Sequence, residues 1–210
     1  MQRQYREFRE KLAEGTILLF RLGDFYEVFG QDAEVAAKVL GLTLTKRHET
    51  PMAGLPHHAA PAYVNRLLAA GWKVAICDQL EAPVAGKLVR RGLTRILTPG
   101  TALEDSQLDS RRGNYLAALC WDNQGWHAAW LDVSTADFRL ASDSSPSRLL
   151  PLLHSVSPRE IILPEGLEPS AADREALEVF LQGRAVSRLP GWNFDGTAGA
   201  RLVAQTLSVH

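Results

Sequence analysis

Phe25 and Glu27 are the two side chains whose types and spacing best suit a chemical task. They lie in Gly-Asp-Phe-Tyr-Glu-Val-Phe at 23–29, just after an apolar run from Ile17 to Arg21. In an extended segment, side chains two apart point to the same side. Phe25 and Glu27 then project together, and Tyr26 turns away. A flat apolar ring beside a hydrogen-bonding carboxylate can enter a base stack and test the base it meets. Unstacking a base step costs a few kcal/mol, and less where the pair is already loose. Stacking on an aromatic ring returns about 1–3 kcal/mol per base. Insertion is then favourable only where the duplex is weak, so deformability is read more than base identity. A carboxylate near phosphates is repelled. Acceptance from a thymine N3–H, or donation by a protonated carboxyl to a purine N7, would offset that. The repulsion would also penalise insertion wherever the base offers no such partner.

Around this pair stand other candidates for contact with a duplex. Met52, Gly54, Pro56, His57 and His58 form a stretch of small and rigid residues, read as a loop that lets a backbone approach a groove closely. Lys46, Arg47, Arg90, Arg91 and Arg95 are phosphate-contact candidates. Arg21 and Asp24 flank the wedge and are read as bracing it. Tyr26, Phe29 and the Tyr5/Phe8/Leu12 stripe are read as core.

Elements must hold these side chains. Tyr5, Phe8 and Leu12 are spaced as one face of a short helix over 2–13. A helix over 31–40 stops at Gly41, a fitting cap. Strands are expected at 17–21, 42–45, 73–79 and 88–97. A helix over 61–70 carries Pro61 at its start. After a polar stretch at 102–113 come apolar strands at 115–121 and 126–133 around Asn123-Gln124-Gly125, a hairpin signal. A third strand is read at 138–141, helices at 146–155, 171–181 and 198–207, and a short strand at 161–163. The expected fold class is mixed α/β. Residues 1–101 form one small α/β module, 102–113 a linker, and 114–210 a second module.

Composition sets outer bounds. The chain has 210 residues, 46% of them hydrophobic and 22% charged, enough to bury a core. Its net charge of −1 argues against a bulk electrostatic nucleic-acid binder. All five lysines (11, 38, 46, 73 and 87) lie before the linker, so any polyanion contact is expected on the first module. Cys77 and Cys120 are read as buried free thiols in a reducing compartment. No cysteine–histidine spacing suggests zinc, and the adjacent histidines lack a third ligand. The N-terminus has no apolar signal-peptide core.

The chain resembles the N-terminal part of the MutS family of DNA mismatch-repair recognition proteins. The resemblance rests on the 23–29 motif, Leu-Thr-Lys-Arg at 44–47, Pro-Met-Ala-Gly-Leu-Pro-His-His-Ala at 51–59, Val-Ala-Ile-Cys-Asp-Gln at 74–79 and Arg-Ile-Leu-Thr-Pro-Gly-Thr at 95–101, in the family's order. It continues more loosely through Leu-Asp-Val-Ser-Thr at 131–135 and the Trp192–Leu207 segment. It implies a mismatch-recognition domain followed by a ribonuclease-H-like connector domain, with the connector incomplete at its C-terminus. It further implies that Phe25 stacks on a mispaired base in a kinked minor groove and that Glu27 hydrogen-bonds that base. The implied partners are mismatched or unpaired-base duplex DNA and, through the connector, MutL. A homodimer is expected only for a full-length protein, and ATP with Mg²⁺ only in an ATPase domain outside this chain. This chain has no Gly-x-x-x-x-Gly-Lys-Ser/Thr loop, and no cofactor or catalytic residue is expected in it. The expected setting is bacterial, cytoplasmic and nucleoid-associated. Two alternatives stand beside this reading. One is a docking module for a repair partner. The other is a ribonuclease-H-like nuclease using Asp132, with Asp122, Asp137 and Glu160 as further carboxylates.

Overall fold

A computed structural model describes residues 2–82, 89–101 and 113–207. The chain divides into two compact units at residues 108/109. Most of the expected linker, 102–112, lies outside the described residues.

The first unit is a six-stranded mixed sheet with helices on both faces. In chain order it comprises α1 (Gln2–Arg9), β1 (Thr16–Leu22), β2 (Phe25–Phe29), α2 (Gln31–Leu40), β3 (Thr45–Arg47), β4 (Thr50–Pro56), α3 (Ala60–Ala69), β5 (Lys73–Gln79) and β6 (Arg91–Leu97). The spatial order is β3-β4-β2-β1-β5-β6. β1 and β5 are parallel, and every other neighbouring pair is antiparallel. Strand alternation sorts the side chains. Ile17, Leu19, Tyr26, Val28, Ala53, Leu55 and Val74 pack beneath α2 and α3. Leu18, Phe20, Ala75 and Cys77 face the other way, under Tyr5, Phe8 and Leu12. The expected core assignments for Tyr26, Phe29 and the Tyr5/Phe8/Leu12 stripe therefore hold.

Four local expectations are corrected. Helix α1 ends at Arg9, because Lys11 and Leu12 donate to carbonyls three residues back, which tightens the last turn yet still seats Leu12 on the sheet. The strand expected at 42–45 starts only at Thr45. Gly41 takes a left-handed φ of 69°, and Leu42 N–H donates to Ala37 O at 3.1 Å, so the chain is still wrapped on the end of α2. The stretch around 52–58 is not a loop, because 50–56 is an interior strand, β4, between β3 and β2. The strand expected from residue 88 is described from Arg91, and Leu88 itself lies outside the described residues.

The second unit is a five-stranded sheet in the order β11-β10-β7-β8-β9. β7 (Tyr115–Asp122), β8 (Gly125–Asp132) and β9 (Asp137–Asp143) form an antiparallel meander. After α4 (Pro146–Val156), β10 (Glu160–Pro164) joins β7 in parallel. After α5 (Ala171–Leu181), β11 (Ala185–Leu189) joins β10 in parallel. α6 (Gly196–Leu207) follows. This is the three-strand layer with alternating helix and strand that the ribonuclease-H-like expectation describes. β11 is the strand the sequence reading lacked. Its core comprises Ala117, Leu119, Trp126, Ala128, Trp130, Leu149, Leu153, Ile161, Leu163, Leu177 and Phe180. Ser145 caps α4 by accepting from Ser147 N–H, and Ser170 caps α5 by accepting from Asp173 N–H. Both cysteines are free; Cys77 is buried, while Cys120 is only half-buried, against the expectation. Burial pushes the Cys77 thiol up to about 12.

Among the described residues, no helix is long and apolar enough to cross a membrane.

Candidate nucleic-acid interface

β2 passes from covered to open along one face. Phe29, at its C-terminal end, is 8% exposed beneath the Tyr5 ring, with centroids 4.9 Å apart. Four residues earlier on the same face, Phe25 is 50% exposed, and Glu27 lies between them. The alternation predicted from spacing is therefore present, with Tyr26 and Val28 buried on the opposite side. Helix α1 reaches Phe29 and leaves the Phe25 end uncovered.

The neighbouring strands complete this open face. Phe25 sits opposite Pro56, Glu27 opposite Gly54 and Phe29 opposite Met52, so Met52, Gly54 and Pro56 share the face with the Phe–Glu pair. Next to β4, Thr45 stands opposite Met52 and Arg47 opposite Thr50. Thr45 Oγ1 donates to the Met52 carbonyl at 3.1 Å. Gly54 has no local need to be glycine. A Cβ built there meets Tyr26 O at 3.9 Å and Phe25 Cδ1 at 4.0 Å, ordinary contacts. Its missing side chain keeps the surface beside Phe25 flat.

Two sets of contacts fix the backbone around Phe25. Asp24 O accepts from His57 N–H at 2.9 Å, tying the β1–β2 turn to the end of β4. Arg21 donates from Nε to Gly23 O, and its guanidinium lies 5.6 Å from the Tyr26 ring centroid. Tyr26 Oη donates to Asp78 Oδ1 at 2.6 Å, and Asp78 Oδ2 accepts from Thr94 Oγ1 at 2.8 Å. Burial first, then the Asp78 contact, raises the Tyr26 pKa. The bracing expected of Arg21 and Asp24 is thus visible, and Tyr26 joins them.

The basic candidates separate. Arg47 Nη1 lies 2.7 Å from Glu27 Oε2, so its charge is directed at the carboxylate. Lys46, the next residue along β3, points to the other face and pairs with Glu49 at 3.6 Å. Arg95 sits on edge strand β6, with β5 and β1 between it and β2, roughly 14 Å away at ordinary strand spacing. Arg91 is not a surface cation. It is 8% exposed, lies 5.0 Å from the Phe20 centroid, and donates to Arg21 O, Gln4 Oε1 and Val89 O. Arg90 is exposed, and its backbone N–H donates to Glu81. His57 and His58 form an exposed 3₁₀ turn after β4, and the His57 ring stands 5.5 Å from the Tyr26 ring, on the helix side of the sheet. The β3–β4 hairpin that sets Arg47 near Glu27 carries no Asn-Gly or Asp-Gly signal in the sequence.

In the second unit, Asp132 is 3% exposed and fully engaged. It accepts from Asn114 N–H at 3.0 Å, Ser134 N–H at 2.9 Å and Ser134 Oγ at 2.6 Å. Asp122 accepts from the Gln124 and Gly125 N–H groups and contacts His127. Asp137 contacts Tyr115 Oη and Arg139, and Glu160 accepts from Ser187 Oγ. Among the described residues, no three His, Cys, Asp or Glu side chains are grouped to hold a metal ion.

An open sheet face carries an exposed phenylalanine beside a carboxylate, and a second mixed α/β unit follows it along the chain. Comparison with known sequences identifies the family. The family descriptions MutS domain I and MutS domain II match residues 1–106 and 114–210. Similar proteins include the DNA mismatch repair protein MutS of Myxococcus xanthus, 40% identical over 205 residues, covering 95% of this chain and 23% of that protein. The MutS of Pseudothermotoga lettingae is 40% identical over all of this chain and 25% of its own length. That of Symbiobacterium thermophilum is 43% identical over 91% of this chain and 23% of its own. The chain belongs to the MutS family, and it spans about a quarter of the length of these relatives.

Proposed function

We propose that the first unit recognises mispaired or unpaired bases in duplex DNA, with Phe25 as the wedge and Glu27 as the base-contacting group. The observation that carries this reading is the half-exposed Phe25 beside Glu27 on a sheet face left open by α1. Met52, Gly54 and Pro56 supply a low, flat surface on the same face, suited to close approach of a sugar–phosphate backbone. His57, His58, Lys46 and Arg95 would serve at the margins of such a contact, since His57 and Lys46 lie on the other side of the sheet, His58 lies in the turn after β4, and Arg95 lies on the far edge strand. The chain's contribution is binding. ATP with Mg²⁺, and homodimerisation, belong in this reading to a longer protein.

Fluorescence anisotropy at fixed low salt tests it, comparing a G·T or unpaired-T duplex with its matched control. A preference for the mispair that Phe25→Ala abolishes is the expected result. Equal binding to both duplexes by the wild-type chain would remove the reading.

The second unit is proposed as a docking surface for MutL. An apolar groove between α4 and α5, lined by Pro146, Leu150, Pro151, Ala176, Val179 and Phe180, supports it, with Val179 59% exposed. Val179→Asp should abolish MutL capture while leaving DNA binding intact. A nuclease reading has no comparable support, since the Asp132 oxygens already accept several hydrogen bonds.

A further inference from the structure

We propose that Arg47 is a specificity-determining residue through its ion pair with Glu27, which opens only when a mispaired base replaces Arg47 at the carboxylate. The inference rests on the mismatch-binding reading above. In the free chain the guanidinium sits 2.7 Å from the carboxylate, with the Glu27 side chain 18% exposed and that of Arg47 39% exposed. The pair is therefore sheltered enough to hold and open enough for exchange. It lies on the face that carries Phe25, so a duplex docking over the wedge brings phosphates within reach of Arg47.

Two exchanges then compete. At a mispair, an unstacked base offers the carboxylate a donor, and the released guanidinium takes a phosphate. Both charges end with partners. At a matched pair the bases stay stacked, so opening would leave a bare carboxylate beside phosphates. The pair stays closed and Arg47 contributes little to affinity. Arg47 thus makes the cost of the Glu27 charge conditional on what the base presents. Lys46 cannot take this role, because it points to the opposite face.

Anisotropy on both duplexes with Arg47→Gln, Glu27→Gln and the double variant reads this directly. Arg47→Gln should weaken mispair binding about five- to ten-fold and change matched binding less than two-fold, the scale of one charge contact. Glu27→Gln should strengthen matched binding and steepen its salt dependence by about 0.9, one added phosphate contact. The double variant should lose that gain. Equal loss on both duplexes from Arg47→Gln alone would overturn the proposal and leave a plain phosphate contact.

NMR of the arginine guanidinium and phenylalanine ring signals on the same chain separates the two readings even if binding is weak. Without DNA, the Arg47 guanidinium signals should shift on Glu27→Gln; an unchanged signal would sink the ion pair and hence the exchange. On titration with the G·T duplex, the Phe25 and Arg47 signals should both move. Movement at Phe25 alone would defeat the exchange and spare the mismatch-binding reading. Movement at neither would defeat both.

Discussion

Arg47 Nη1 and Glu27 Oε2 meet at 2.7 Å across β4, a strand to which neither residue belongs. A phosphate-contact candidate and a base-contact candidate are thus electrostatic partners before any ligand arrives. The carboxylate beside Phe25 is compensated from within the unit.

Gly54 offers a clean separation of folding from binding. Its backbone is not left-handed, and an added Cβ finds only ordinary contacts. A β-branched residue should suit an interior strand as well or better. Gly54→Val is expected to leave the unfolding temperature unchanged or slightly raised. On the proposed reading, mispair affinity should fall at least ten-fold, because the side chain would stand where the sugar–phosphate backbone approaches. Thermal melts with anisotropy on one preparation check both halves, and intact binding would show that the face is not used.

The β3–β4 hairpin turns on His48 and Glu49, whose φ angles of 48° and 63° are both left-handed. Such a conformation suits Asn-Gly in a two-residue hairpin, and it costs a residue with a Cβ about 1 kcal/mol or more. Replacing the two with Asn-Gly should stabilise the first unit by about 1 kcal/mol. The Lys46–Glu49 pair that is lost is exposed and worth little. Urea unfolding measures the gain, and no gain would place the strain elsewhere.

Acid should act on the two units with opposite sign. Burial would raise the Asp132 carboxyl, but hydrogen bonds from Ser134 and Asn114 outweigh it and hold the pKa below the usual range. His127 lowers Asp122, and Arg139 with Tyr115 lowers Asp137. These groups bind fewer protons folded than unfolded. Their stabilisation is complete above the ordinary aspartate value of about 3.9 and is lost as pH falls through the folded values. Asp32 in the first unit is raised, chiefly by burial, despite donation from Leu18 N–H and Arg9. Folded Asp32 holds its proton to higher pH than unfolded Asp32, so acidification toward pH 4 favours the first unit. Hydrogen exchange between pH 6 and 3 should show the second unit loosening first. Asp132→Asn should cost about 1–3 kcal/mol at neutral pH and flatten that acid loss.

A half-buried side-chain bond offers a further test. Tyr26→Phe removes the donor to Asp78 and should cost about 1 kcal/mol while leaving Phe25 in place. Discrimination should then fall less than with Phe25→Ala. An equal fall would make the Tyr26–Asp78 brace a requirement for the wedge.

Much of the fold could be read from local signals. The meander at 115–143 announces itself by alternation around Asn123-Gln124-Gly125, and α2 by its helix formers and Gly41. β4 and β11 escaped, and β3 begins three residues later than expected. β4 contains Pro51, Gly54 and Pro56, residues that usually argue against an interior strand. It forms because β2 and β3 pair with it on both sides, and because Pro51 O accepts from Gly30 N–H at 2.8 Å. That compensation is long-range and invisible to a window of neighbouring residues.

What the sequence by itself determined is the pairing of Phe25 with Glu27 on one side of a strand, since the two-residue period of an extended chain needs no tertiary contact. It also carried the motif order that places the chain in its family. Only the tertiary structure decided which cations stand near that pair. Lys46 and Arg47 are adjacent, yet the strand register sends one to each face. Arg91 and Arg95 share β6, but Arg91 is buried on Phe20 and Arg95 stays at the sheet's far edge. Charge in a sequence has no direction until strand order and register give it one.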